Sequence, residues 1–325
     1  MRRRALRLVF ILLAVGVGFA GVFVWGYGRF MRPGPLAAER TLIIAKGAGV
    51  KAIAGLLARG GVIEDPLIFR LGVRFSGFSK ALRAGEYLFP TRISPKDAMA
   101  LIVGGKTVVR KLTVPEGLTT DRIFSLIAKA PGLEGLPGPK PAEGTMLPET
   151  YHYSHGDSRA GVVRRMTDAM SETLNALWRS RAYGLPFKDR EEAVIMASII
   201  EKETALAGER AHIAGVFVNR LKRRMKLQSD PTVAYGMALE DGALDRPLTR
   251  ADLKRPTPFN TYLHQGLPPA PIDNPGRLSI EAALNPMKTD DLYFVADGSG
   301  GHVFARTLKE HNRNVAKWRK LNDNK

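Results

Sequence analysis

The stretch A-V-I-M-A-S-I-I-E-K-E-T, Ala193 to Thr204, sets Glu201 directly after a run of small and apolar residues. A helix that is apolar all round belongs inside a domain. A carboxylic acid at the end of such a helix loses hydration in its charged form, so its pKa rises and it can hold a proton at neutral pH. Ala193–Thr204 therefore predicts a buried helix in a globular core with a candidate proton donor at its end. A buried helix ending in a charged, solvent-seeking turn accounts for the same letters, and the surrounding sequence has to decide.

Working outward, Pro186 and Asp189 announce this helix. Before it, Val162, Met166, Met170 and Leu174 recur every fourth residue, with Trp178 continuing an apolar stripe that packing alone explains. After Glu209, a helix directs Ile213, Val216, Phe217 and Leu221 inward and leaves Asn219, Arg220 and Lys222-Arg223-Arg224 at its end, where cations suit the helix dipole. Asp230-Pro231 reads as an N-cap followed by proline at the first helical position. Phe259 to Ile272 is a shaped loop, and Ser279 caps a helix over Ile280 to Leu284. Leu292 to Ala296 and His302 to Ala305 form a hairpin around Asp297-Gly298-Ser299-Gly300-Gly301, followed by a helix from Leu308 to Leu321.

Toward the amino terminus, the spacing predicts a strand at Thr41 to Ala45, a helix at Val50 to Arg59, a second helix from Asp65-Pro66, a strand at Glu86 to Phe89 and a helix from Ser94-Pro95. An internal echo follows. Ile44, Gly47, Ile53, Leu56, Ala58 and Arg59 return as Val114, Gly117, Ile123, Leu126, Ala128 and Lys129, each 70 positions later. This places a second unit near Thr107. Residues 131 to 145, with four Pro and four Gly, read as an irregular connection.

Leu8 to Gly28 is 21 residues without a charge, about 31 Å of helix and enough to cross a bilayer. Arg2, Arg3, Arg4 and Arg7 precede it and Arg29 and Arg32 close it, while Trp25 and Tyr27 lie near its outer end. The run is longer than a signal peptide requires, so an uncleaved single-pass anchor is expected, with a cytoplasmic N-terminus and everything after Pro33 exported. That exported part has 43 basic and 31 acidic side chains, a balance that favours anionic surfaces or wall polymers and leaves nucleic acid excluded by topology. The chain has no cysteine, so its core stands without disulfides or thiolate metal sites.

The expected fold class is α+β: residues 1–33 form the cytoplasmic tip and transmembrane helix, 34–106 a small βααβ unit, and 107–325 a larger mixed α/β catalytic domain. The order of elements in 34–106 resembles the LysM type of glycan-binding module. A spacer that lifts the rest of the chain off the membrane is the competing reading.

Seven segments together resemble the YceG-like endolytic murein transglycosylases: A-S-I-I-E-K-E-T at 197–204, V-F-V-N-R-L at 216–221, L-Q-S-D-P-T-V-A-Y-G-M at 227–237, F-N-T-Y at 259–262, G-L-P-P-A-P-I at 266–272, N-P-G at 274–276 and L-Y-F-V-A-D-G at 292–298. The resemblance implies cleavage within peptidoglycan strands between N-acetylmuramic acid and N-acetylglucosamine, leaving a 1,6-anhydro end. It also implies that Glu201 is the acid and that no cofactor is needed. Residues 146–150 depart from the pattern, since many relatives carry a Trp-rich sequence there and only Pro148, Glu149 and Thr150 agree.

Among competing acids, Glu203 lies two residues on and so faces roughly 200° away, as an ion-pair or capping residue. Glu149 is a candidate for stabilising positive charge on the sugar ring, or a surface turn acid. Gln228, Asp230 and Thr232 at a helix entry, Tyr235, and Asn260, Thr261 and Tyr262 are candidate sugar contacts. Capping alone would explain Asp230, and core packing would explain the tyrosines. His212, His264, His302 and His311 lack metal-ligand spacing. A membrane-tethered peptidoglycan-binding scaffold without activity is the alternative function. Cell-wall synthesis proteins are further candidate partners.

Overall fold

The computed structural model describes residues 2–241 and 246–323, so Met1 of the expected cytoplasmic tip and 324–325 of the expected catalytic part lie outside the described residues. Two compact units are present. One comprises residues 1–110, 131–133 and 152–157; the other comprises 111–130, 134–151 and 158–325.

The first unit opens with α1 (Arg2–Met31), followed by β1 (Arg40–Ile44), α2 (Val50–Arg59), α3 (Pro66–Phe75), β2 (Gly85–Phe89) and α4 (Pro95–Gly104). Within α1, Phe10–Met31 is long and apolar enough to cross a membrane. The strands pair antiparallel with Leu42 opposite Tyr87, which makes β1-α2-α3-β2 a βααβ unit. Asp65 caps α3 by accepting from the N–H groups of Leu67 and Ile68, and Ser94 caps α4 by accepting from Asp97. In both helices proline occupies the start, where no N–H is needed. Ile44, Leu57, Phe69, Tyr87, Phe89 and Ile102 form the core, and Phe30 and Leu36 join it. The buried Tyr87 hydroxyl donates to the carbonyls of Arg83 and Ile102, which satisfies the one polar atom that ring brings inside.

Next along the chain are β3 (Val109–Thr113), α5 (Thr120–Lys129), β4 (Thr150–Ser154), α6 (Arg159–Arg179), α7 (Arg190–Glu203), α8 (Ala207–Lys222), α9 (Asp230–Asp241), α10 (Arg277–Leu284), β5 (Tyr293–Ala296), β6 (His302–Ala305) and α11 (Leu308–Asp323). β3 lies beside β4 in one two-stranded sheet, and β5 and β6 form another. The core of the second unit is helical: Met170 and Leu177 of α6 meet Met196, Ile199 and Ile200 of α7, Ile213 and Phe217 of α8, and Ile280 and Leu284 of α10. The mixture is α+β.

The echo at 70 residues is geometric as well as sequential. α2 and α5 have the same length and start 70 positions apart, and the preceding turns contain Gly47 at φ 78° and Gly117 at φ 74°. Both glycines sit in the left-handed region that a side chain disfavours.

Four local expectations are corrected. Thr150–Ser154 is a strand, where the sequence reading placed no element; it pairs with β3, a partner some 40 positions back that no local pattern reveals. α10 begins at Arg277, with Gly276 at its N-cap, so Ser279 lies inside the helix and is buried. α9 begins at Asp230 itself, so Asp230 is the first helical residue rather than the cap. Arg220 is buried, donating to the carbonyls of Leu292 and Leu227, because the chain returning from α8 leaves carbonyls that need a donor.

Candidate active site

α7 is fixed at its start and along its length before it presents Glu201. Asp189 caps it by accepting from Glu192, and every residue from Ala193 to Ile200 is buried. Ser198, the one polar residue in that run, returns its hydroxyl to the Ile195 carbonyl and accepts the Ile272 N–H. The run ends at Glu201, whose side chain is 5% exposed.

Four segments of the second unit converge on this carboxyl group. One oxygen lies 3.1 Å from Arg210 Nη2 on α8, and the other accepts the Gly276 N–H at 2.9 Å from the start of α10. The same Arg210 nitrogen is 3.0 Å from Glu116 in the turn between β3 and α5. Burial raises the pKa of Glu201 and outweighs the Gly276 N–H, the adjacent Ser279 hydroxyl and Arg210, which favour the anion; the charge of Glu116 adds to the upward push. Ser279 completes no hydrogen bond of full geometry.

Gly117 forms the floor of this corner. A β-carbon there would sit 3.4 Å from Glu201 Cγ and 3.6 Å from Asp273 Oδ2, and the Gly117 carbonyl accepts Lys202 Nζ at 3.3 Å. A β-carbon at Gly276 would overlap the Glu116 carboxyl. Asp273 is wholly buried, and neither carboxyl oxygen has a hydrogen-bond partner among the described residues. Burial therefore pushes its pKa well above the usual carboxylate range, with Lys202 opposing and Glu201 and Glu143 adding to the rise. Asn274 holds the corner together. Its side chain donates to the Leu118 carbonyl, Thr120 and Glu143, and accepts the Met146 N–H.

Glu203 lies on a different side of α7 and accepts the Ser229 hydroxyl. Burial lifts its pKa to about 7, with the Ser229 bond opposing and Asp230 reinforcing. Both acids of E-K-E-T are thus biased toward the protonated form. They differ in surroundings: Glu201 meets a cation and a helix N-terminus, Glu203 a hydroxyl beside α9.

The candidate sugar contacts divide into two groups. Thr232, Asn260 and Thr261 are buried. Thr232 donates to the Ser229 carbonyl and pairs with the Thr261 hydroxyl, while Asn260 donates to the carbonyls of Leu253 and Arg255 and accepts from Tyr262. These bonds shape the 257–264 loop. The other group retains access to solvent. Gln228 and Asp230 are exposed, Gln228 with a backbone φ of 53°. Tyr262 donates to Asp230 at 2.6 Å, and Tyr235 donates to Glu143 and meets Phe259 edge-on. Glu149 is exposed in the turn before β4, and its carbonyl accepts the Val114 N–H.

Arg210, Glu116, Asp273, Asn274 and Glu143 were not singled out individually from sequence. The usable signal was Gly117, since the residue beside a repeated left-handed glycine is held in a fixed direction. Among the described residues, no group of three or more His, Asp or Glu is placed to hold a metal ion.

A model of the YceG-like family matches residues 42–317. The endolytic murein transglycosylase of Bacillus subtilis is 33% identical over 310 residues, covering 85% of this chain and 83% of its own length. That of Streptococcus pneumoniae strain D39 is 30% identical over 328 residues, and the match spans 58% of the pneumococcal protein. The crystal structure of a putative yceG-like protein from Listeria monocytogenes matches with a TM-score of 0.52 and 31% identity, covering 85% of this chain and 98% of that one.

Proposed function

This chain belongs to the YceG-like family, and from that premise we propose that it is a membrane-anchored endolytic lytic transglycosylase. It cuts between N-acetylmuramic acid and N-acetylglucosamine within peptidoglycan and leaves 1,6-anhydro-muramic ends. The carrying observation is Glu201: an enclosed carboxyl group, whose proton affinity burial raises, at the meeting point of α7, α8, α10 and the Gly117 turn.

Glu201 protonates the glycosidic oxygen as that bond to the anomeric carbon breaks. The resulting carboxylate then takes the proton of the muramic acid C6 hydroxyl as its oxygen closes on the anomeric carbon. The proton balance returns to its start, and the substrate supplies the nucleophile that a hydrolase would draw from water or a second carboxylate. Arg210 and the Gly276 N–H steady the carboxylate between the two transfers.

On this reading α1 crosses the cytoplasmic membrane with its N-terminus inside, and everything after Pro33 works outside. The βααβ unit is a LysM-like module that contacts glycan, and exposed Gln228, Asp230 and Glu149 with half-buried Tyr235 and Tyr262 line the approach of the strand.

The test is product analysis by mass spectrometry of peptidoglycan incubated with detergent-solubilised full chain and with Glu201→Gln. Anhydro ends from the wild type alone support the proposal, and general acid and base loss is worth roughly 10²–10⁴-fold in rate for each role. Reducing ends would make it a hydrolase, equal activity in both proteins would remove Glu201 from the mechanism, and no product from either would leave a glycan-binding scaffold.

A further inference from the structure

Helix α3 leaves large apolar side chains uncovered. Leu67, Leu71 and Phe75 follow at four-residue intervals, and Phe78 comes just after the helix; their exposures are 55, 40, 74 and 40%. Soluble surfaces rarely present such a contiguous row. Successive members turn only about 40° around the helix, so they form one stripe. The exposed Arg70 and Arg74 flank it, and α3 contains no acid.

The stripe adjoins α1. The rings of Phe23 and Phe75 meet edge-on at 6.3 Å. A β-carbon at Gly26 would be 3.7 Å from Ile68 Cδ1, and one at Gly72 would overlap the Phe30 ring. The two helices therefore approach closely through a glycine on each. Arg29 pairs with Glu64 at 2.8 Å. Read together, these contacts run α3 roughly antiparallel to α1, with Glu64 beside Arg29 and Phe75 beside Phe23. Phe23 lies six residues inside Arg29, about 9 Å deeper along the helix. A membrane that accommodates the uncharged run of α1 therefore also reaches the level of Phe75.

The end of α3 is built to tolerate that depth. Gly77 takes φ 75°, its N–H bonds the Arg74 carbonyl, the Phe78 N–H bonds the Val73 carbonyl and the Ser76 N–H bonds the Gly72 carbonyl. This closure satisfies carbonyls that a helix end otherwise leaves bare, and unsatisfied backbone groups are what hydrocarbon excludes.

We propose that the exposed face of α3 is a membrane-contact surface, with Leu71, Phe75 and Phe78 seated in the outer leaflet beside α1 and with Arg70 and Arg74 reaching back to anionic lipid headgroups. The first unit then lies against the bilayer instead of swinging on a single helix. Lipid is the occupant because the stripe continues the surface of α1 that faces the acyl chains. This inference rests on the anchoring reading of α1 given above.

The chain has no cysteine, so single nitroxide labels report unambiguously. Full-length Phe75→Cys, Val17→Cys and Lys51→Cys proteins, labelled and reconstituted in phosphatidylethanolamine–phosphatidylglycerol vesicles, are compared for accessibility to oxygen, which concentrates in hydrocarbon, and to a water-soluble nickel chelate. The expected oxygen-to-nickel ratio at Phe75 is several-fold above that at Lys51 and approaches that of Val17 in mid-span. An aqueous Phe75 with a deep Val17 overturns the contact surface and leaves the anchor intact. Shielding of Phe75 from both reagents overturns it in favour of a protein partner or second copy. Aqueous values at all three positions overturn the anchor and the surface together.

Discussion

Arg210 meets Glu201 through Nη2 at 3.1 Å, and that nitrogen is also 3.0 Å from Glu116. One buried cation thus serves a nearly enclosed acid and a second acid at the solvent edge. Its charge joins the Gly276 N–H and the Ser279 hydroxyl in favouring the Glu201 anion against the upward push of burial and of Glu116.

Replacing the cation tests that balance. Arg210→Met removes one of the influences that lower the Glu201 pKa, beside the Gly276 N–H and the Ser279 hydroxyl, so the acid stays protonated to somewhat higher pH. The alkaline limb of kcat/KM, where a general acid is lost, should move upward, with a stability loss of about 1.5–3 kcal/mol for the charged hydrogen bonds. An unchanged pH profile in a folded variant would show that Arg210 is structural only.

The two repeated glycines make a matched pair. Gly117→Ala and Gly47→Ala each force a side chain into left-handed backbone, at about 1–2 kcal/mol. Nothing lies within 4 Å of a β-carbon at Gly47, whereas one at Gly117 would touch Glu201 at 3.4 Å and Asp273 at 3.6 Å. Similar losses in thermal stability are therefore expected, with activity falling only for Gly117→Ala. Equal activity loss in both would point to general destabilisation.

Glu203 supplies a pH-dependent stability. Its folded pKa is about 7 against an ordinary 4.5, so the folded state keeps a proton that the unfolded state releases. Stability then declines as pH rises between those values, and the full penalty, up to about 3 kcal/mol, is present above the folded pKa. Glu203→Gln should match wild type at acid pH in urea unfolding and exceed it increasingly toward pH values above the folded pKa. Parallel curves for the two proteins would mean that Glu203 titrates normally.

Asn274 is the point where the site depends most on a neutral side chain. It joins Leu118, Thr120, Glu143 and Met146 from a wholly buried position. Asn274→Ala leaves several of these without partners and should cost about 2–3 kcal/mol. The Gly117 turn would also loosen against Glu201, so kcat should fall more than in a surface variant of equal stability. A loss confined to melting temperature would limit Asn274 to scaffolding.

Wherever the signal was local, it was legible in the letters. Asp65-Pro66 and Ser94-Pro95 begin helices because a short acceptor and a residue without an N–H complete one turn by themselves. Ala193–Ile200 had to be interior because no face of that helix tolerates water. Asn260 and Thr261 were legible as polar loop residues, whereas the partners they bond inside that loop come from the fold.

By itself, then, the sequence determined an apolar span, a βααβ unit, a buried helix with Glu201 at its end and a turn geometry used twice, since each follows from periodicity or capping over a few neighbours. Tertiary structure alone decided that Arg210 and Glu116 flank that acid, that Asp273 is buried beside it without a partner, and that Asn274 ties residues more than a hundred positions apart. The reason is physical: the cost of burying a charge depends on which groups arrive from distant parts of the chain, and those arrivals leave no trace in local spacing.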